Sequence, residues 1–233
     1  MAMLRLMQYA KIVIIFSNTK FPVMIDIFSS DTLLNRHTRW RHLGVYLICR
    51  NFADMIRKLK TIEIERLSLA EFREAEKMPL VVVLDDVRSL HNVGSVFRTA
   101  DAFALREVCL CGITACPPSA EIHKTALGAE ESVNWRYFPT AEEEVSSLHA
   151  EGCRVYAVEQ CQGSVMLHRE RLTPAPAGGF AVVLGNEVKG VRQSVIDMCD
   201  ACIEIPQFGT KHSMNVSVTA GIVMWEFARQ LRL

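Results

Sequence analysis

The sequence predicts an α/β protein built on a parallel sheet with helices on both faces. Apolar runs such as LVVVL (80–84) and FAVVLG (180–185) are continuous rather than alternating, as in strands buried on both faces. From Leu80 to the C-terminus, strand-like and helix-like segments take turns at short intervals. The chain has 233 residues, 50% hydrophobic and 22% charged, enough for one large core.

The elements follow in order. LVVVL is the first strand, and a polar turn leads to a helix near Val93–Phe103. EVCLC (107–111) is the next strand; Pro117 and Pro118 turn the chain into a short helix around Ser119–Thr125. VNWRYF (133–138) reads as a strand. TAEEEVSSLHAEG (140–152) has acids in its first turn and Gly152 past its end, so it reads as a helix. CRVYAV (153–158) and FAVVLG are strands separated by a Gly- and Pro-rich loop. VRQSVIDMC (191–199) is predicted helical, ACIEIP (201–206) extended, and Ser213–Gln230 the closing helix. In that helix Val216, Ala220, Val223, Met224 and Phe227 form one apolar stripe.

The first 54 residues differ. They hold seven Lys or Arg against three acids, net +4, and show neither period; residues 55–233 hold 19 bases and 23 acids, net −4. Two readings stay open: an atypical extension upstream of a native start at Met55, or a basic arm that touches RNA or a partner. Residues 55–79 read as an N-terminal helical segment, and 80–233 as the main domain. A chain with no net charge lacks the basic excess usual in nucleic-acid binders, so any such contact must rest on a local patch.

Eight cysteines lie mostly in apolar segments and read as reduced thiols of a cytoplasmic protein. Cys199-x-x-Cys202 alone is a weak zinc signal, so no metal is expected. No apolar run approaches the ~18 residues of a membrane helix, so no membrane partner is expected either.

In a parallel sheet, ligands sit beyond the carboxyl ends of the strands, so the loops there carry the chemistry. The loop after LVVVL is DDVRSLHNVGSVFRTADAF. Asn92 is placed to cap the helix. Gly94 and Arg98 share a helix face, which leaves room for a group to approach Arg98; the plain alternative is a surface Arg98–Asp101 pair. The loop GNEVKGV (185–191) lacks a Walker A ending, no GxGxxG follows any strand, and alone the loop reads as an ordinary turn. IPQFGTKHSMNVSVTAGI (205–222) puts Ser213, Asn215 and Ser217 at one helix start, where a cap needs a single such residue.

Each motif alone is weak, but their order and spacing are specific. NxGxxxRTxDAF, LGNExxG and IPQFGxxxSMNVSVTAGI resemble the three signature motifs of the SpoU (TrmH-like) RNA 2′-O-ribose methyltransferases of the SPOUT superfamily, over Leu80 to the C-terminus. The resemblance implies a C-terminal deep trefoil knot and S-adenosylmethionine as cofactor. It places Gly185, Ile205 and Met214 on the cofactor, with Leu184, Asn186, Gly190 and Ser213 beside them. It makes Arg98 essential for activating the ribose 2′-oxygen, with Asn92 and Glu187 holding Arg98 and the cofactor loop, and Ser213 and Asn215 positioning the ribose. It implies a homodimer acting on tRNA or rRNA. Arg88, His91, Arg98, Lys124, Lys189, Arg192, Lys211 and His212 are candidates for the RNA rim, about half of them touching phosphate. A catalytically inactive RNA-binding protein of the same fold is the alternative, and a methyltransferase acting on a base is a further one.

Overall fold

The structure, a computed structural model, describes residues 57–233 and, upstream, the paired two-residue strands Lys11–Ile12 and Ile27–Phe28. The rest of the first 56 residues, Met55 and the basic-arm reading with them, lie outside the described residues. Two units are resolved, Met1–Glu65 and Arg66–Leu233. In the first, Arg57 makes two hydrogen bonds of 2.9 Å to Glu63, at the end of a 3-10 turn, Thr61–Glu63.

The second unit begins with helix α1, Leu69–Glu74, closed by a reciprocal capping box between Ser68 and Glu71. Then come β1 (Met78–Asp85), α2 (Leu90–Ala102), β2 (Leu105–Cys111), α3 (Ala120–Ala126), α4 (Ala129–Ser132), β3 (Trp135–Phe138), α5 (Ala141–Ala150), β4 (Arg154–Val158), β5 (Val165–Met166), β6 (Phe180–Leu184), α6 (Gln193–Ile196), β7 (Ala201–Glu204) and α7 (Val216–Leu231). The seven strands form one parallel sheet in the order β3-β2-β1-β6-β4-β7-β5. β1 lies between β2 and β6, with Leu84 opposite both Leu110 and Leu184.

The continuous apolar run of β1 serves two cores. Leu80, Val82 and Leu84 join a cluster with Val96 and Phe97 of α2 and Val223 and Phe227 of α7. Val81 and Val83 face the other way, toward Val145 and Leu148 of α5. Every residue from Leu80 to Leu84 is fully buried. α7 is pinned by Phe227, whose ring centroid lies 6.1 Å from Tyr156 and 5.7 Å from Phe180 at near-perpendicular angles. The apolar stripe read along this helix, Val216 to Phe227, is its buried face.

Several boundaries move. α2 starts at Leu90, and its cap is Ser89, whose hydroxyl accepts from the Asn92 N–H, so Asn92 is inside the first turn and does not cap. α7 starts at Val216, which puts Ser213 in the preceding loop and makes Asn215 the cap. The segment 191–199 keeps only one helical turn, because the Met198 and Cys199 N–H groups reach back three residues as the turn tightens. Strand 133–138 loses its first residues because the Val133 N–H closes α4 onto Ala129. β5, two residues at the sheet edge, had no readable pattern.

The space beside Gly94 is not open to a visitor. A Cβ added there would stand 2.1 Å from Thr125 Oγ1 and 2.4 Å from the Ile122 carbonyl, so α3 already fills it. Gly94→Ala should therefore lose about 1–3 kcal/mol to overpacking, against a helix-propensity gain of about 1 kcal/mol. Gly221→Ala, whose added Cβ would meet nothing nearer than Thr99 at 4.0 Å, should be neutral or stabilising. Urea unfolding of the two variants checks both signs.

Candidate active site

β1, β6, β4 and β7 are consecutive neighbours in a parallel sheet, so the loops at their carboxyl ends meet. Those after β4, β6 and β7 enclose a cleft of about 940 Å³. All seven residues expected to hold the cofactor line it: Leu184, Gly185, Asn186, Gly190, Ile205, Ser213 and Met214. Val158, Val191 and Val216 add apolar wall, and Glu187 stands at the rim.

The loop after β6 is a closed turn that only glycine allows. A Cβ on Gly185 would lie 2.2 Å from the Gly190 backbone, and Gly190 itself has φ of +68°. A Cβ on Gly190 would meet Glu159 Oε2 at 2.1 Å, and that oxygen accepts from the Val191 N–H at 2.9 Å. Asn186 organises the turn from within. Its Oδ1 accepts from the N–H groups of Val188 and Lys189, and its Nδ2 donates to the Asp86 carbonyl at 2.8 Å, which ties this loop to the one after β1.

A second junction joins all three signature motifs. The Glu187 carboxylate accepts from the N–H groups of Arg88 and Ser89 at 3.1 and 3.0 Å and from Asn92 Nδ2 at 3.1 Å. It sits at the start of α2, where the helix leaves N–H groups unpaired and favours negative charge. Asn92 Oδ1 accepts in turn from Asn215 Nδ2 at 3.1 Å. Asn215 Oδ1 accepts from the N–H groups of Ser217 and Val218, at the start of α7. Burial works against charge on Glu187, but its backbone and Asn92 hydrogen bonds prevail and hold its carboxyl below the usual range.

The expected catalytic residues divide into groups. Glu187, Asn92 and Asn215 are joined by hydrogen bonds, and Ser213 faces the cleft. Both ends of the Asn215 amide are engaged, so its side chain holds loops together. Arg98 is exposed on α2, and neither Asp101 nor any other described residue takes its guanidinium; Asp101 accepts instead from Ser132.

Of the basic rim, Arg192 is committed elsewhere. It binds Asp85 through two nitrogens at 3.0 and 3.3 Å and Glu142 at 3.0 Å. Asp85 is fully buried, and burial pushes its carboxyl above the usual range even with Arg192 alongside. His91 and Lys124 share Glu121 at 3.6 and 3.4 Å. Arg88, Arg98, Lys189, Lys211 and His212 are exposed. Two contributors carried no signal in the sequence: Glu159 beneath Gly190, and Gln160, whose Nε2 donates to the His212 carbonyl at 2.9 Å. Contacts across long sequence separations leave no local pattern.

The fold and the cleft define an α/β protein with a ligand site at the carboxyl edge of a parallel sheet. Residues 79–225 match the model of the SpoU rRNA Methylase family, and the chain belongs to that family. It is 30% identical over 204 residues to a 23S rRNA (guanosine-2′-O-)-methyltransferase of Coxiella burnetii, covering 88% of this chain and 76% of that protein. A protein of the same name from Neisseria meningitidis is 34% identical over 65% of this chain and 59% of its own length. The crystal structure of an AdoMet-bound rRNA methyltransferase from Sinorhizobium meliloti superposes with a TM-score of 0.62 at 27% identity, over 70% of this chain and 61% of that one. The chain thus spans about three fifths of the latter two proteins.

Because Glu187 is held below its unfolded value, its stabilising effect is complete above about pH 4.3 and fades as pH falls through the folded value. Glu187→Gln should cost about 0.3–1 kcal/mol at pH 7, given its exposure. The gap to wild type should narrow as pH falls below about 4.3. Denaturation midpoints at pH 7 and 3.5 test this.

Proposed function

We propose that this chain transfers a methyl group from S-adenosylmethionine to a ribose 2′-hydroxyl of RNA, with rRNA the first substrate to try. The observation that carries this is the hydrogen-bonded junction Glu187–Asn92–Asn215, which gathers the three signature motifs at the mouth of one cleft. The cofactor fits the donor set. Leu184, Ile205 and Met214 offer apolar walls for an adenosine, and the tight turn at Gly185 and Gly190 exposes backbone groups to it.

Bound there, S-adenosylmethionine supplies a sulfonium methyl as the electrophile for the ribose 2′-oxygen. The rest falls to the protein. The planar guanidinium of Arg98 serves as a clamp on an RNA phosphate that orients the neighbouring 2′-hydroxyl, whose proton leaves to phosphate or water. Ser213 hydrogen-bonds the ribose from the cleft wall. Glu187, Asn92 and Asn215 act through position, since they hold the loop after β6 and the start of α7 against α2. Fixing reactants in this way can supply several kcal/mol of barrier lowering.

RNA approaches across the exposed Arg88, Arg98, Lys189, Lys211 and His212. Phe208, 96% exposed in the loop after β7, offers a face on which an unstacked base can lie. The protein works as a homodimer in the cytoplasm. Support for the dimer is the stripe Val218, Ile222 and Trp225 on α7, apolar and exposed at i, i+4 and i+7. Threading of the residues between β6 and α7 into a trefoil knot accords with the family.

Labelled S-adenosylmethionine, incubated with unmodified rRNA and then digested to nucleosides, tests the reading. Wild type should yield a 2′-O-methylnucleoside, and Arg98→Ala should fall at least about 100-fold while still binding the cofactor. A base-methylated product, or no transfer by a protein that binds RNA and not the cofactor, would overturn it. RNA affinity should drop steeply with salt, and Lys189→Ala or Lys211→Ala should each reduce the log–log slope by about 1. Filter binding at several salt concentrations measures this.

A further inference from the structure

Far along the chain from the cleft residues, α3 and α4 bring three metal-capable side chains together. His123 lies in the last turn of α3, which ends at Leu127 in the left-handed region (φ 53°). Gly128, with φ of 92°, carries the chain straight into α4, whose first turn holds Glu130 and Glu131. The reversal faces both carboxylates back toward the histidine, and one ligand atom from each residue lies within 4.8 Å of the others. They share a depression with Pro117, Pro118 and Trp135.

Glu130 makes this more than a surface cluster. Its side chain is only 9% exposed, and Oε1 lies 2.5 Å from His123 Nδ1. Its other oxygen, Oε2, is buried without a hydrogen-bond partner among the described residues. A buried polar oxygen left without a partner is costly, and a bound ion would supply one. Among the described residues, no lysine or arginine forms an ion pair with Glu130 or Glu131.

We propose that His123, Glu130 and Glu131 bind a divalent transition-metal ion. One imidazole nitrogen and two carboxylates suit zinc, cobalt or manganese. Calcium and magnesium prefer all-oxygen shells. Three protein ligands leave further positions to water, and the ion clips α3 to α4. Since Ile122 and Thr125 of α3 fill the space beside Gly94, the clip braces the helix that carries Arg98. The proposal does not rest on the methyl-transfer reading.

The test titrates Co²⁺ into the chelator-treated full chain and follows its visible absorption. One equivalent should bind with the spectrum of nitrogen and oxygen ligands, Zn²⁺ should displace it, and His123→Ala and Glu131→Gln should each weaken binding tenfold or more. Glu131 is exposed, so matching thermal unfolding of the metal-free variant and wild type separates lost binding from lost fold. The main competitor is thiolate, since Cys161 and Cys202 lie with sulfurs 2.9 Å apart. A thiolate-to-cobalt charge-transfer band, affinity unchanged in both variants, or no saturation up to millimolar Co²⁺ would each overturn the proposal.

Discussion

Glu187 presents one carboxylate to the start of a helix on one side and an asparagine side chain on the other, and the rest of the site hangs from that contact. The loop after β1 meets through it the loops after β6 and β7, which lie about a hundred residues or more further along the chain. A carboxylate suits the position because α2 opens with N–H groups that no residue of the helix can satisfy. Asn92 extends the contact, donating to Glu187 with its nitrogen and accepting from Asn215 with its oxygen. A glutamine at 187 would keep the shape and lose the charge that meets the helix dipole. An aspartate would fall short of the two N–H groups.

Such a junction can form only because the sheet is parallel and buried on both faces. Parallel strands put every loop that follows a strand at one edge, and β1 carries a layer of helices on each side through alternate residues of one apolar run. The cleft then needs no specialised subdomain. It is what remains between the loops after β6, β4 and β7 once Gly185 and Gly190 have let the first of them fold flat on itself.

The strand and helix sequence was legible because each long element carries its own periodic signal. β1, β2, β6 and α7 lie within a few residues of where their patterns put them. What the sequence hid was which polar residue does which job. Ser89 and Asn92 are equally good caps by type, and only the position of Glu187 decides that Asn92 turns outward. Three polar residues at the start of α7 signalled a site, but not that the side chain of Asn215 would be held at both ends. Gly94 looked like an opening and is a packing contact, since a missing side chain reads the same whether a ligand or a neighbouring helix occupies the space.

The arginines make the same point for charge. By sequence, Arg98 and Arg192 are alike, each an arginine in a predicted helical segment that follows a buried strand. Asp85 separates them. It ends β1 with no solvent access, and a carboxylate there demands a partner within reach, which Arg192 supplies with two nitrogens. That pairing engages the Arg192 guanidinium, although the residue stays exposed, and couples the end of β1 to the loop after β6 and, through Glu142, to α5. Arg98 faces no buried acid and keeps its guanidinium exposed. In a chain with no net charge, the positive surface offered to a phosphate is thus set less by how many basic residues it has than by which of them the buried acids have already claimed.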